Sequence, residues 1–159
     1  MADPLVLVQS RTVPFPVEQA FAFTLPAPLP AIFSRWWGPL PPISGVDGPD
    51  PWGTPGQVRR IRTADGASMR EELLTADAPD RFTYRLTEVA GALKLLFASV
   101  DGSWAFQPVG TGTRVTWSWT IHPASDVASF VLPVVGVLWK GYARRALDRL
   151  DALLVAELG

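Results

Sequence analysis

The stretch TRVTWSWTIHP, residues 113–123, alternates polar and large apolar side chains without interruption. Its apolar members are Val115, Trp117, Trp119 and Ile121. Because successive side chains of a β-strand point to opposite faces, all of these apolar groups must share one face of a sheet. The stretch therefore predicts a strand whose apolar face covers either a packed core or a cavity.

The overall composition is that of one globular domain without a polyanionic partner. The chain has 159 residues, of which 48% are hydrophobic, so it can bury a sizeable core as a single domain spanning residues 1–159. Lys and Arg number 14 against 15 Asp and Glu, and neither sign forms a run. This balance provides no broad basic footprint for nucleic acid or for an anionic membrane, and we predict no nucleic-acid partner.

Signals for disulfides, secretion and membrane spans are missing from the sequence. Without cysteine, the chain can form no disulfide, thiolate metal site or thiol nucleophile. Residues 1–15, MADPLVLVQSRTVPF, place an acid and prolines where a secretory signal is basic and then apolar, so we expect a cytoplasmic protein. The longest apolar run, residues 127–139, contains Pro133 and is too short for a bilayer, which argues against stable membrane insertion.

The N-terminal part of the chain predicts one strand followed by one or two short helices. Residues 4–15 begin with an apolar alternation and end at prolines. Residues 16–25 form a helical pattern with one apolar face, made of Val17, Ala20, Phe21 and Thr24. The proline-rich residues 26–51 allow at most one more helical turn, near residues 31–36, before irregular extended chain.

The rest of the chain predicts antiparallel hairpins and then a long helix. Turn residues separate short strand-like runs from Gly56 onward. The final helix begins at Ser125 or Asp126, and Pro133 should bend or restart it. Its predicted inward stripe consists of Val131, Val135, Leu138, Tyr142, Ala146, Leu150 and Leu153.

Taken in order, these segments resemble the SRPBCC, or START-like, superfamily. The resemblance is carried by GQVRRI, DG, REELL, FTYRL, GSWAFQP, GTGTRVTW and the terminal helix, and it covers nearly the whole chain. That superfamily includes the birch pollen allergen, lipid-transfer domains and polyketide aromatase/cyclases, and the bacterial polyketide cyclase/dehydrase branch is the most similar. The resemblance implies an α+β helix-grip fold. In that fold, a curved antiparallel sheet of about six or seven strands wraps around the long C-terminal helix and encloses a cavity.

Strand parity predicts which side chains face that cavity. If residues 115–121 point their apolar groups inward, Trp104 and Phe106 of the neighbouring strand do the same, as does Tyr84 on an earlier strand. We expect a pocket on the order of 300 to 1,000 Å³ between sheet and helix. The alternative is that the tryptophans fill this space themselves, as they do in many cores.

Arg59 and Glu71 are the main polar candidates, at positions where the family often has charged groups. If both face inward on adjacent strands, they can pair across the ladder, because a lone buried charge is costly. They then either orient a ligand or transfer a proton, or form a structural ion pair that fixes the register. A slip of one residue would instead turn Arg60 and Glu72 inward.

Other chemistry finds little support in the sequence. His122 is the only histidine, and its parity places it on the polar face of its strand. The chain lacks the companions for a metal site, a nucleophile elbow, a phosphate loop and a dinucleotide fingerprint, so we predict neither metal nor cofactor. Trp36 and Trp37 either close the open end of the sheet or, with Phe33, form one lip of a pocket entrance. The opposite lip is residues 127–139, and exposed apolar groups there would suit transient contact with a membrane or a partner.

Three functional hypotheses remain open from the sequence. The first is a protein, rather than an enzyme, that binds a small hydrophobic or aromatic molecule such as a lipid or polyketide-like compound. The second is a cyclase, aromatase or dehydratase, with Glu71, Arg59 and Tyr84 as the candidates for acid/base catalysis. The third is an interaction module with a vestigial cavity, which docks a partner protein or a second copy. The predicted ligand contacts are Arg59, Glu71, Tyr84, Trp104, Phe106, Trp117, Trp119, Leu138 and Tyr142.

Overall fold

The computed structural model describes residues 3–159 and contains one antiparallel sheet, two short helices and one long helix. The strands are β1 (Leu5–Val13), β2 (Ile43–Asp47), β3 (Val58–Thr63), β4 (Ser68–Asp77), β5 (Arg81–Ala90), β6 (Phe97–Val109) and β7 (Gly112–Pro123). The helices are α1 (Val17–Thr24), α2 (Leu29–Ile32) and α3 (Asp126–Leu158), with a single 3-10 turn at Ala92–Leu95. The curved sheet has the order β1-β7-β6-β5-β4-β3-β2, which confirms the predicted α+β helix-grip class.

The stretch that alternates in sequence is β7, which lies between β1 and β6. Val115, Trp117 and Ile121 are buried, and Trp119 is partly buried on the same face. Trp104 of β6 lies directly opposite Trp117 across the ladder. The period of two therefore gives the correct face for this strand and for its neighbour.

The proline-rich segment contains a strand that the sequence analysis predicted to be irregular chain. Among residues 3–159, β2 pairs only with β3, at the edge of the sheet, and its register shifts between Ile43 and Gly45. Before it, α1 buries the predicted face, including Ala20 and Phe21, against the core. Because β2 has only 5 residues and lies beside prolines and a glycine, its alternation is too short to be recognised from sequence.

The long helix α3 corrects the predicted inward stripe over its first half. Ser125 caps the helix by accepting a hydrogen bond from the Ala128 amide at 3.1 Å, and the helix continues through Pro133. The buried positions are Ala128, Leu132, Gly136, Trp139, Gly141, Ala143, Ala146, Leu147, Leu150 and Leu154. Val131 is exposed, and Val135, Leu138 and Tyr142 are only partly buried.

Gly136 explains this rotation of the helix. A Cβ atom at this position would lie 2.9 Å from the Leu7 side chain, so the absent side chain lets α3 approach β1 closely. Because residues 127–139 are apolar on every side, the hydrophobic period alone does not select the buried face. The close approach at glycine selects it instead.

Candidate functional site

A pocket of about 100 Å³ lies between the concave face of the sheet and α3. Its walls are mostly aromatic and aliphatic side chains from β3 to β7, the α2 region and α3. The pocket is smaller than the several hundred Å³ expected from the sequence. The tryptophans fill much of the space, since Trp104, Trp117, Trp119 and Trp139 all form part of the wall.

The aromatic wall is a connected cluster centred on Trp117. This ring stacks on Trp104 with centroids 5.5 Å apart and contacts Trp139 of α3 at 4.8 Å. Phe33 lies 5.0 Å from Trp117 and stacks on Tyr142 at 5.6 Å. Sheet, α3 and the segment after α2 therefore meet through aromatic rings, which offer flat apolar surfaces to a ligand.

Tyr84 lies at the centre of a buried hydrogen-bond arrangement. Its hydroxyl oxygen accepts hydrogen bonds from Trp117 Nε1 at 2.7 Å and from Trp119 Nε1 at 2.9 Å. Burial raises the pKa of Tyr84, with the nearby Glu71 charge adding to the shift, while the indole hydrogen bonds oppose it. The group is therefore a neutral phenol, and it is buried in the pocket wall.

Gly102 makes room for the Tyr84 ring. Tyr84 and Gly102 are directly opposite each other on β5 and β6. A Cβ atom at residue 102 would overlap the tip of the Tyr84 ring and its hydroxyl oxygen. The glycine therefore lets the phenol lie flat over β6, within reach of both indoles.

Arg59 and Glu71 form the predicted pair across the β3–β4 ladder. Arg59 Nε donates to Glu71 Oε1 at 2.5 Å, and the two residues are only 8% and 5% exposed. Burial raises the pKa of Glu71, and the charge and hydrogen bond of Arg59 oppose that shift. The slipped register does not occur, since Arg60 and Glu72 lie on the outer face.

Two tryptophans were not predicted from the sequence, Trp139 in the pocket wall and Trp52 behind Arg59. Trp52 lies under the Arg59 guanidinium, 4.0 Å from ring centroid to Cζ, and its loop carries no periodic signal. Trp139 lines the pocket from α3, and its Nε1 is a buried donor with no hydrogen-bond partner within residues 3–159. Such a group costs free energy, because water no longer solvates it and no acceptor replaces the water.

Not every predicted ligand contact reaches the pocket. Phe106 packs against Phe21 and Phe82 outside the pocket wall. Leu138 instead faces the loop at Gly38, where a Cβ atom would lie 3.8 Å from it. Tyr142 does line the pocket, and its hydroxyl donates to the Pro41 carbonyl at 2.9 Å. Of the predicted contacts, Phe106 and Leu138 are therefore placed elsewhere.

His122, the only histidine, lies outside the pocket. His122 Nε2 is 2.8 Å from Asp101 on the outer face, and Arg85 donates to the same carboxylate at 2.8 Å. Although partial burial raises the pKa of Asp101, these partners outweigh it and hold the pKa below its usual value. Within residues 3–159, no three His, Cys, Asp or Glu side chains come together as a metal-binding group.

The WW pair divides between two environments. Trp37 packs on α3 at Gly141, where a Cβ atom would overlap its ring, and Arg145 lies 5.2 Å above it. Trp36 is 53% exposed. Trp37 therefore helps to close one end of the fold, while Trp36 remains on the surface.

Comparison with known structures supports the fold. Norcoclaurine synthase from Thalictrum flavum, solved with dopamine and hydroxybenzaldehyde, has a TM-score of 0.74 at 14% identity, covering 99% of this chain and 90% of that one. Ara h 8.0201 has a TM-score of 0.70 at 16% identity, with 97% and 99% coverage. Major latex-like protein 151 from Panax ginseng has a TM-score of 0.59 at 19% identity, with 90% and 98% coverage. At these identities, the likeness concerns the fold alone.

The sequence itself assigns the family. No curated protein matches the chain. A family model described as polyketide cyclase / dehydrase and lipid transport matches residues 5–155, which is nearly the whole chain. The protein therefore belongs to the polyketide cyclase/dehydrase and lipid transport family, within the SRPBCC superfamily that its sequence resembles.

Proposed function

We propose that the protein binds a small, mainly apolar, aromatic molecule in the pocket between the sheet and α3. The observation that carries this proposal is the contrast between aromatic walls and one buried ion pair, Arg59–Glu71. Contact with the aromatic walls would supply the binding free energy, and the few polar groups would fix the orientation. We also propose that the protein binds this molecule in the cytoplasm.

Arg59 and Glu71 would orient the ligand because their pairing is incomplete. They share one hydrogen bond through Nε and Oε1, so within residues 3–159 the second Glu71 oxygen has no side-chain donor. A ligand hydroxyl would donate to that oxygen, and a ligand carbonyl would accept from the guanidinium. An aromatic compound with one such group therefore matches the pocket.

The size of the pocket restricts the ligand. About 100 Å³ is below the roughly 150 Å³ of a cavity that accepts benzene, so we expect wall side chains to move outward on binding. In the solved structure of norcoclaurine synthase, the bound molecules are dopamine and hydroxybenzaldehyde, each with one aromatic ring. Single-ring phenols, aldehydes and ketones are therefore the first compounds to test.

A fluorescence titration tests the proposal. We expect saturable quenching of indole emission by members of this series, because four tryptophans line the pocket. Trp36→Phe removes a surface indole and should leave the binding curve unchanged, whereas Arg59→Leu should weaken binding. N-acetyltryptophanamide corrects for absorption by the compounds. Quenching that never saturates, and that matches the free indole for every compound, would overturn the proposal.

A second candidate is acid/base catalysis on the bound molecule, favoured by the position of Glu71. This carboxyl group lines the pocket, and burial raises its pKa. In a dehydration, Glu71 would take a proton from the carbon beside a ligand carbonyl. The bond to a β-hydroxyl would break, and Glu71 would return the proton so that the hydroxyl leaves as water.

Glu71→Gln separates binding from catalysis. The variant keeps the shape of the side chain but cannot take a proton. If it binds ligand with unchanged affinity and loses turnover, catalysis by Glu71 is supported. Unchanged turnover would remove Glu71 from the mechanism.

A further inference from the structure

The first half of α3 exposes an apolar stripe on the side away from the sheet. The stripe consists of Val127, Phe130, Val131, Val134 and Val137, which are 44 to 83% exposed. Their spacing places them on one helical face. No charged residue occurs between Asp126 and Lys140. Because the outer face of a helix in a globular protein is normally polar, packing within this chain does not account for the stripe.

The apolar stripe borders the pocket. Leu95, in the 3-10 turn, is 71% exposed, and the turn is tied to the start of α3 by a 2.9 Å hydrogen bond from the Ala124 amide to the Leu96 carbonyl. Leu93 of the same turn lines the pocket, as does Val135, which directly follows Val134 of the stripe. The exposed apolar surface and the pocket wall are therefore adjacent in both elements.

Unpaired positive charge follows the stripe along the same helix. Lys140, Arg144, Arg145 and Arg149 have no carboxylate within 4.0 Å in the described part of the chain. The neighbouring acids, Asp148 and Asp151, are instead held by Arg11 at 2.6 and 2.7 Å. We call Lys140, Arg144, Arg145 and Arg149 together the basic half of α3. Trp36 lines one groove with Arg145, Arg149 and Asp148.

Most cations on the outer face of the sheet are paired with carboxylates. Arg60, Arg62, Arg70 and Arg85 on this face pair with carboxylates, whereas Arg81 and Arg114 have no carboxylate within 4.0 Å in the described residues. The net charge of −1 therefore conceals an excess of positive charge beside the apolar stripe. This local excess is what the balanced composition did not predict.

We propose that the apolar stripe and the basic half of α3 dock the protein on an anionic lipid surface. The stripe would enter the boundary between head groups and acyl chains, and the cations would meet the head groups. Exposed Trp36 suits the same interfacial region. Docking adds a second function to ligand binding, and it rests on the proposed function. A molecule that leaves the pocket beside Leu93 and Val135 would enter the bilayer without crossing water.

Vesicle flotation with the full chain tests this proposal. We expect binding to vesicles of phosphatidylglycerol and phosphatidylcholine, and weaker binding to phosphatidylcholine alone. Phe130→Ser should lower partitioning at least about tenfold, because one large apolar side chain no longer enters the interface. Lys140→Gln and Arg144→Gln should each lower it about fivefold, and only on the anionic vesicles.

Val6→Ser is the matched control for Val134→Ser. The two valines are 62% and 63% exposed, but Val6 lies on the outer face of β1 and is not part of the stripe. We expect Val134→Ser to weaken partitioning and Val6→Ser to leave it unchanged. Failure to bind either vesicle, or equal effects of the two variants, would overturn the proposal. A dimer by light scattering that Phe130→Ser dissociates would also overturn it, because the stripe would then be covered by a second copy.

Discussion

Tyr84→Phe tests whether the central phenol organises the aromatic wall. The substitution keeps the ring but removes the one acceptor shared by Trp117 and Trp119. Each buried N–H group left without an acceptor costs about 1 to 3 kcal/mol. Trp117 is fully buried and Trp119 only partly so, and the partly buried indole can regain some hydration. We therefore expect the free energy of unfolding to fall by about 2 to 4 kcal/mol.

Tyr142→Phe provides the matched control, since the chain has only these two tyrosines. Its hydroxyl makes one partly buried hydrogen bond, to Pro41, so its loss should cost about 1 kcal/mol. Urea unfolding followed by circular dichroism measures both variants, and equal m-values would show that the same surface unfolds. If Tyr84→Phe costs no more than Tyr142→Phe, the shared acceptor does not stabilise the wall.

Three further predictions concern the same site. Gly102→Ala should lower the free energy of unfolding by about 1 to 3 kcal/mol, because its methyl group overlaps Tyr84, and a melting curve without a shift would contradict this close packing. Because the pKa of Glu71 is raised above 4.5, the folded state keeps a proton that the unfolded state releases just above that pH. The Glu71 carboxyl therefore lowers the free energy of unfolding as pH rises from 4.5 to its raised pKa in the folded state. Glu71→Gln should remove this pH dependence, measured by urea unfolding at several pH values. Trp139→Phe should cost about 1 to 2 kcal/mol less than Trp117→Phe in urea unfolding, since it removes an unpaired N–H instead of a hydrogen bond, and the reverse order would refute the assignment.

The sequence correctly predicts the strands in which polar and apolar residues alternate with a period of two. Strict alternation in residues 113–123 gives the buried face of β7. For Arg59 and Glu71, parity left a slip of one residue open, and the β3–β4 register of the structure pairs them. A slip of one residue would turn every buried side chain of these strands outward, so burial strongly constrains the register.

The hydrophobic period does not predict the buried face of a helix that is apolar on all sides. It also gives no prediction for loops and turns. Residues 127–139 of α3 offer several apolar faces, and the approach of Gly136 to Leu7 decides between them. Trp52 lies in a loop between prolines and glycines, where no periodicity exists. The sharing of Tyr84 by two indoles, and the size of the pocket, depend on side-chain conformations that only the packed structure specifies.

Native mass spectrometry tests the claim that the pocket holds a ligand most directly. Protein purified from the organism that makes it would be weighed under native conditions and then denatured, so that a released molecule can be identified. We predict one aromatic or other mainly apolar molecule per chain, and its loss in a variant with Arg59→Leu. A bare chain mass in the protein from its own host would contradict the account.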